Sequence, residues 1–135
     1  MTRRDDPSAI PSLDDLLAPG RAVLLTTADP QGPGTRPVLL QPDPAGRSGR
    51  ASVLAHASSR KVAQARAIAR ATLAGPTPAP HRGWFSIEAD VAVFPAADEG
   101  EDVIRLDLVP TAARVWTVFS DAPRDNEVTV LQLAR

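Results

Sequence analysis

Apolar and polar residues alternate in short runs along most of the chain, and turn-forming residues separate the runs. Ala22-Val23-Leu24-Leu25-Thr26-Thr27 is a β-prone run closed by Ala28-Asp29-Pro30-Gln31-Gly32-Pro33-Gly34, in which Gly-Pro-Gly at 32–34 reads as a turn. Residues 35–41 return as a second strand, 42–46 turn again, and 51–56 make a third. The cleanest period of two runs from Trp84 to Phe94, where Phe85, Ile87, Ala89, Val91 and Val93 alternate with Trp84, Ser86, Glu88 and Asp90. An acidic connector at 96–101 follows. Residues 102–109, 113–119 and 127–133 give three more candidate strands, with Pro110 and Pro123 in the gaps.

Two segments carry helical signals instead. Ser12 stands before Leu13-Asp14-Asp15-Leu16-Leu17 as an N-cap with acids in the first turn, and Pro19-Gly20 ends this short helix. Residues 58–71 predict the main helix: from Lys61 to Ala71 there is no Gly or Pro, and Val62, Ala65, Ala69 and Leu73 form a weak apolar stripe. A proline-rich loop, 75–80, follows. The whole pattern is mainly β (α+β): six to seven mostly antiparallel strands in a small barrel, with a short N-terminal helix and one main inserted helix. Residues 1–11, rich in charge and proline, read as a mobile lead-in to a single domain over 12–135.

Composition narrows the functional classes. The 135 residues suit one domain, but 23 of the hydrophobic positions are Ala and five are aromatic, so the core is thin and self-association is expected. The absence of Cys excludes a disulfide scaffold and a thiol nucleophile, and two lone histidines do not make a metal site. A net charge of −1 argues against bulk nucleic-acid binding. Apolar runs fall far short of the roughly 20 residues of a membrane helix, and no export signal is evident, so the expectation is a soluble cytoplasmic protein.

The chemistry concentrates in Ser58-Ser59-Arg60-Lys61. If a serine caps the main helix, Arg60 and Lys61 fall in its first turn, where free N–H groups and the positive dipole end disfavour cations. A bound phosphate resolves that conflict; the competing reading is that both side chains reach into water. Lys61 is also the only lysine among 15 cationic residues. Arg36 lies on the same strand face as Val38 and Leu40 and needs an anionic or carbonyl partner unless it sits at the sheet rim. His56 ends the third strand, either as a ligand or proton-transfer contact or in a structural role. Trp84 and Trp116 serve either packing, at core or interface, or ring stacking.

The order Arg36-Pro37-Val38-Leu39-Leu40, a strand, then Ser59-Arg60-Lys61-Val62 opening a helix resembles the pyridoxamine 5′-phosphate oxidase-like group of split-barrel FMN-binding proteins. Leu24-Leu25-Thr26-Thr27 with its Asp-Pro turn is similar to the opening hairpin of the short general-stress-protein branch. The resemblance spans roughly residues 12–119 and rests on order and spacing together. It implies a split barrel and a homodimer with FMN at the subunit interface. The phosphate would be held by Arg36, Ser59 and Lys61, with Arg60 nearby, and the ring would lie along the strand of Val38 and Leu39. His56, Trp84 and Trp116 are further candidate contacts.

Three positions depart from the family pattern. Leu54-Ala55 replaces an aromatic residue followed by Thr, the connector at 96–101 is shorter than the branch's helical insert, and Gln41 stands where the full oxidase has Lys. These argue against authentic pyridoxamine phosphate oxidation and count against tight FMN binding. The expectation is an FMN-binding, flavin-dependent oxidoreductase-like protein. The alternative is a non-enzymatic stress-response or cofactor-binding module on the same barrel, holding FMN, haem, a deazaflavin or nothing. Substrate and electron donor are not legible.

Overall fold

The computed structural model describes residues 10–117, 127–131 and 133. The lead-in expected at 1–11 falls largely outside them, as do positions 118–119 of one expected strand and 132 of another. The elements run α1 (Leu13–Leu16), β1 (Ala22–Asp29), β2 (Gly32–Leu39), β3 (Ala51–His56), α2 (Arg60–Ala67), β4 (Arg70–Pro76), β5 (Gly83–Pro95), β6 (Val103–Thr117) and β7 (Glu127–Val130). All strand pairs are antiparallel, in the order β2-β1-β4-β5-β6-β3, with β7 also on β6. Gln41, just past the end of β2, forms an isolated bridge to Ser52 of β3, the other end of that path, so the sheet curls into a split barrel without closing.

The α1 prediction holds in detail. The Ser12 hydroxyl accepts from the Asp15 N–H at 3.1 Å, and the Asp15 carboxylate accepts from the Ser12 N–H at 3.0 Å, a complete capping box. Inward residues of every long strand build the core: Val23 and Leu25, Val38, Val53, Leu73, Phe85 and Ile87, Leu106 and Leu108, Val115. Among the described residues Phe85 is the one aromatic side chain that is fully buried, in line with the composition.

Several boundaries differ from the sequence reading. The main helix stops at Ala67, and Arg70–Pro76 is a strand, not the end of the helix and the start of a loop. Val62 and Ala65 are buried on α2; Leu73, counted on the same stripe, is buried on β4, and Ala69 is exposed between the two elements. Alanine's helix preference masked the strand, whose inward positions Ala71, Leu73 and Gly75 give little hydrophobic contrast. Gly32-Pro33-Gly34 is not the turn. The turn lies at Pro30-Gln31, with Gly32 (φ +124°) leaving it, and Gly34 is within β2. The strands expected at 102–109 and 113–119 are one, β6: Pro110 pairs with Ala89, and a bulge beside it leaves Thr111 out of the ladder. Its register against β5 slips by one residue there, and the Thr111 hydroxyl donates to the Glu88 carbonyl at 3.2 Å. The last strand ends at Val130 rather than 133.

Candidate functional site

The site gathers where β2, the end of β3 and the start of α2 converge. Arg36 occupies the inward face of β2, two residues before buried Val38, at the half-buried end of the strand. Ser59 is the N-cap residue of α2 and has extended backbone (φ −71°, ψ 151°), yet its side chain makes no capping bond. Its Oγ is shielded from solvent and, among the described residues, has no hydrogen-bond partner. A buried hydroxyl without a partner is costly and uncommon in native proteins. The other such atom, Thr77 Oγ1, sits in the loop after β4.

Arg60 and Lys61 open α2, with no acid in its first turn. Burial, and secondarily the nearby Arg36 guanidinium, holds the Lys61 ammonium below the ordinary lysine range. The ion pairs among the described residues are Arg47–Asp43 and Arg105–Asp107, so Arg36 and Lys61 have no direct carboxylate partner there; the nearest carboxylate shown, Asp29, contacts the Gln64 amide at 3.5 Å. Two cations, a helix N-terminus and an orphaned hydroxyl therefore share one region, which fits a phosphate group.

Gln64, one turn further along α2 and fully buried, was not anticipated. Its amide oxygen accepts from the Thr27 hydroxyl at 2.6 Å and from Arg36 Nη2 at 3.4 Å, while its nitrogen donates to the Gly32 carbonyl at 3.3 Å. Turned over, the amide would donate to the Thr27 hydroxyl and carbonyl and accept from Arg60 Nε at 3.2 Å. The first seating gives Arg36 an acceptor but sets the amide nitrogen against Arg60 Nε and the amide oxygen against the Thr27 carbonyl; the second turns both of those contacts into hydrogen bonds and leaves Arg36 facing the amide nitrogen. Either way Gln64 ties α2 to the β1–β2 hairpin. Nothing in the sequence pattern singles out a glutamine between Ala63 and Ala65 as buried.

Of the remaining candidates, His56 adjoins this group and the others lie elsewhere. His56 is exposed at the end of β3, and its backbone carbonyl accepts from the Ser59 N–H at 3.0 Å. Val38 is buried in the core, whereas Leu39 points to the outer face of the sheet. Trp84 and Trp116 are cross-strand neighbours on that same outer face. Within one chain they do not join the Arg36–Ser59–Lys61 group. Ala55, where the family pattern has Thr, is buried on β3. Surface hollows of about 220, 240 and 360 Å³ occur, none of them lined by Arg36, Ser59 or Lys61. Among the described residues there is no cluster of three metal-ligating side chains, and no helix long and apolar enough to cross a membrane.

No family model matches the sequence, and no curated protein does. Solved structures do resemble the fold. General stress protein 26 from Bacillus anthracis aligns over 88% of this chain and 95% of its own, with 10% identity and a TM-score of 0.64. A pyridoxamine 5′-phosphate oxidase-related, FMN-binding protein from Nostoc punctiforme aligns over 84% and 88%, with 10% identity and a TM-score of 0.64. An F420 reductase aligns over 78% and 98%, with 15% identity and a TM-score of 0.62. The barrel, its strand order and its single inserted helix thus give this chain the fold of the pyridoxamine 5′-phosphate oxidase-like FMN-binding proteins.

Proposed function

We propose that the protein binds FMN by its phosphate at the N-terminus of α2 and works as a flavin-dependent oxidoreductase-like homodimer, without authentic pyridoxamine phosphate oxidase activity. The observation that carries this reading is the shielded Ser59 hydroxyl, unpartnered among the described residues, beside two cations without a direct ion pair there. A phosphate dianion would accept from that hydroxyl, from free α2 N–H groups, and from Arg36 and Lys61, removing a defect the ligand-free chain carries. Arg60 and His56 stand next to this cradle as further contacts. When bound, FMN supplies the redox chemistry, and the chain's own groups anchor and orient it.

The ring would rest between two copies. Support comes from the outer sheet face, where Leu39, Trp84 and Trp116 are exposed in the single chain. Gln41 in place of Lys argues against the full oxidase reaction.

The test is an FMN titration followed by absorbance near ~450 nm, a property of the cofactor, and by thermal shift. Binding by the native chain is expected, with Ser59→Ala weakening it several-fold while leaving ligand-free stability unchanged or slightly higher, since the lost hydroxyl had no partner. Absence of any shift or colour would sink the reading. A second reading, a deazaflavin in the same fold, draws on the likeness to an F420 reductase, and the same titration with that cofactor separates the two.

A further inference from the structure

Gly34 sits in the interior of β2 without any backbone need for glycine. The chain's positive φ angles fall at Gly20, Gly32, Gly46, Gly49 and Gly100 among the described residues, and Gly34 is not one of them. Glycine is a poor strand residue, and inside a strand it marks a close approach by another group. The approaching group here is functional. Gly34 and Arg36 share the inward face of β2. A Cβ placed at Gly34 would stand 2.6 Å from Arg36 Nη2 and 3.2 Å from Gln64 Oε1. A separation of 2.6 Å between a carbon and a guanidinium nitrogen is not tolerated, so one of the two would have to move.

We propose that Gly34 is the positioning residue of the phosphate site: its missing side chain leaves the notch in which the Arg36 guanidinium folds back against Gln64, and a methyl there drives Arg36 out of place. The proposal deepens the FMN reading and rests on it for its functional consequence. It explains why a strand-breaking residue stands two positions before the phosphate-binding arginine. It also predicts a small cost to the fold, because the atom displaced is the far end of a flexible side chain.

Gly34→Ala should weaken FMN about tenfold while leaving ligand-free thermal stability near that of the native chain. In the Arg36→Ala background the same substitution should change FMN affinity by less than twofold, since the residue acts only through Arg36. A second arm needs no FMN. Lys61 is the sole lysine, so lysine-labelled protein gives one side-chain signal whose pKa can be followed by NMR. Arg36→Ala should raise that pKa, and Gly34→Ala should raise it by a comparable amount. Equal loss of FMN affinity in both backgrounds would overturn the proposal, as would a Lys61 titration that Arg36→Ala moves and Gly34→Ala does not. If Gly34→Ala folds poorly, recovery in the Gly34→Ala/Arg36→Ala double variant supports the steric argument; failure of both overturns it. If no variant, native chain included, binds FMN, the cofactor reading fails and the Lys61 titration alone decides this one.

Discussion

The Lys61 ammonium is disfavoured in the ligand-free protein: burial chiefly, and then the nearby Arg36 guanidinium, lower its proton affinity, and it sits at the positive-dipole end of a helix. Its folded pKa lies below its unfolded value of 10.5. Between those two values the unfolded chain binds more protons, so ligand-free stability rises as the pH climbs through that window. A bound phosphate reverses the sign by favouring the ammonium. FMN affinity should therefore increase from pH 5 to 7, as the phosphate monoester becomes a dianion with a pKa of about 6, and then fall as Lys61 deprotonates. Lys61→Gln should weaken FMN by about 1.5–3 kcal/mol and yet stabilise the empty protein by about 0.3–1 kcal/mol, readable by FMN titration and urea unfolding. A substitution that lowered both quantities would assign Lys61 a structural role. The lysine was legible in the sequence because it broke a local electrostatic rule. Gly34 and Gln64 were not, because a notch and a buried amide exist only once β2 and α2 are brought together.

At the level of elements, legibility followed hydrophobic contrast. The strand from Gly83 to Pro95 was plain because large apolar and polar residues alternate in it; β4 was hidden because its inward positions are alanine, leucine and glycine. Pro110 read as a break because a bulge is a pairing property, which a single strand's sequence does not display. Loops obey different forces. In the segment after β2, Asp43 is buried and accepts from the Ala45 and Arg47 N–H groups at 3.1 and 2.9 Å and from the Arg47 guanidinium at 3.0 and 3.1 Å. The Arg47 side chain, chiefly, pulls the Asp43 carboxyl down to about 2. Because the folded value lies below the unfolded 3.8, this loop's contribution is present above pH 4 and is lost as the pH falls from there toward 2. Asp43→Ala should cost about 1–3 kcal/mol at pH 7, with the deficit shrinking in acid; chemical unfolding at pH 7 and pH 2.5 checks both. A deficit constant across that range would place the effect in packing rather than in the carboxylate.

The whole molecule brings the thin core and the candidate site into one argument. Phe85 is buried, but Trp84 and Trp116 face outward, paired across β5 and β6, and Trp116 stands opposite Val128 of β7. On the same face Leu24 stands opposite Pro37 on one side and Ala74 on the other, and Leu39 is 59% exposed. A single chain leaving these apolar side chains in water forgoes burial that a small domain needs, and the homodimer proposed above would supply it. If the FMN ring sits between copies, dimerisation and cofactor binding are linked, and each must strengthen the other. Trp84→Glu should leave a folded monomer by circular dichroism and sedimentation, with FMN affinity at least tenfold weaker. FMN affinity of the native chain should also fall on dilution once the dimer dissociates. A monomeric Trp84→Glu chain that binds FMN as tightly as the native one would confine the site to one subunit. A variant that stays dimeric would move the interface away from this face. Only linked loss of both properties makes the exposed tryptophans part of the same device as the shielded Ser59 hydroxyl.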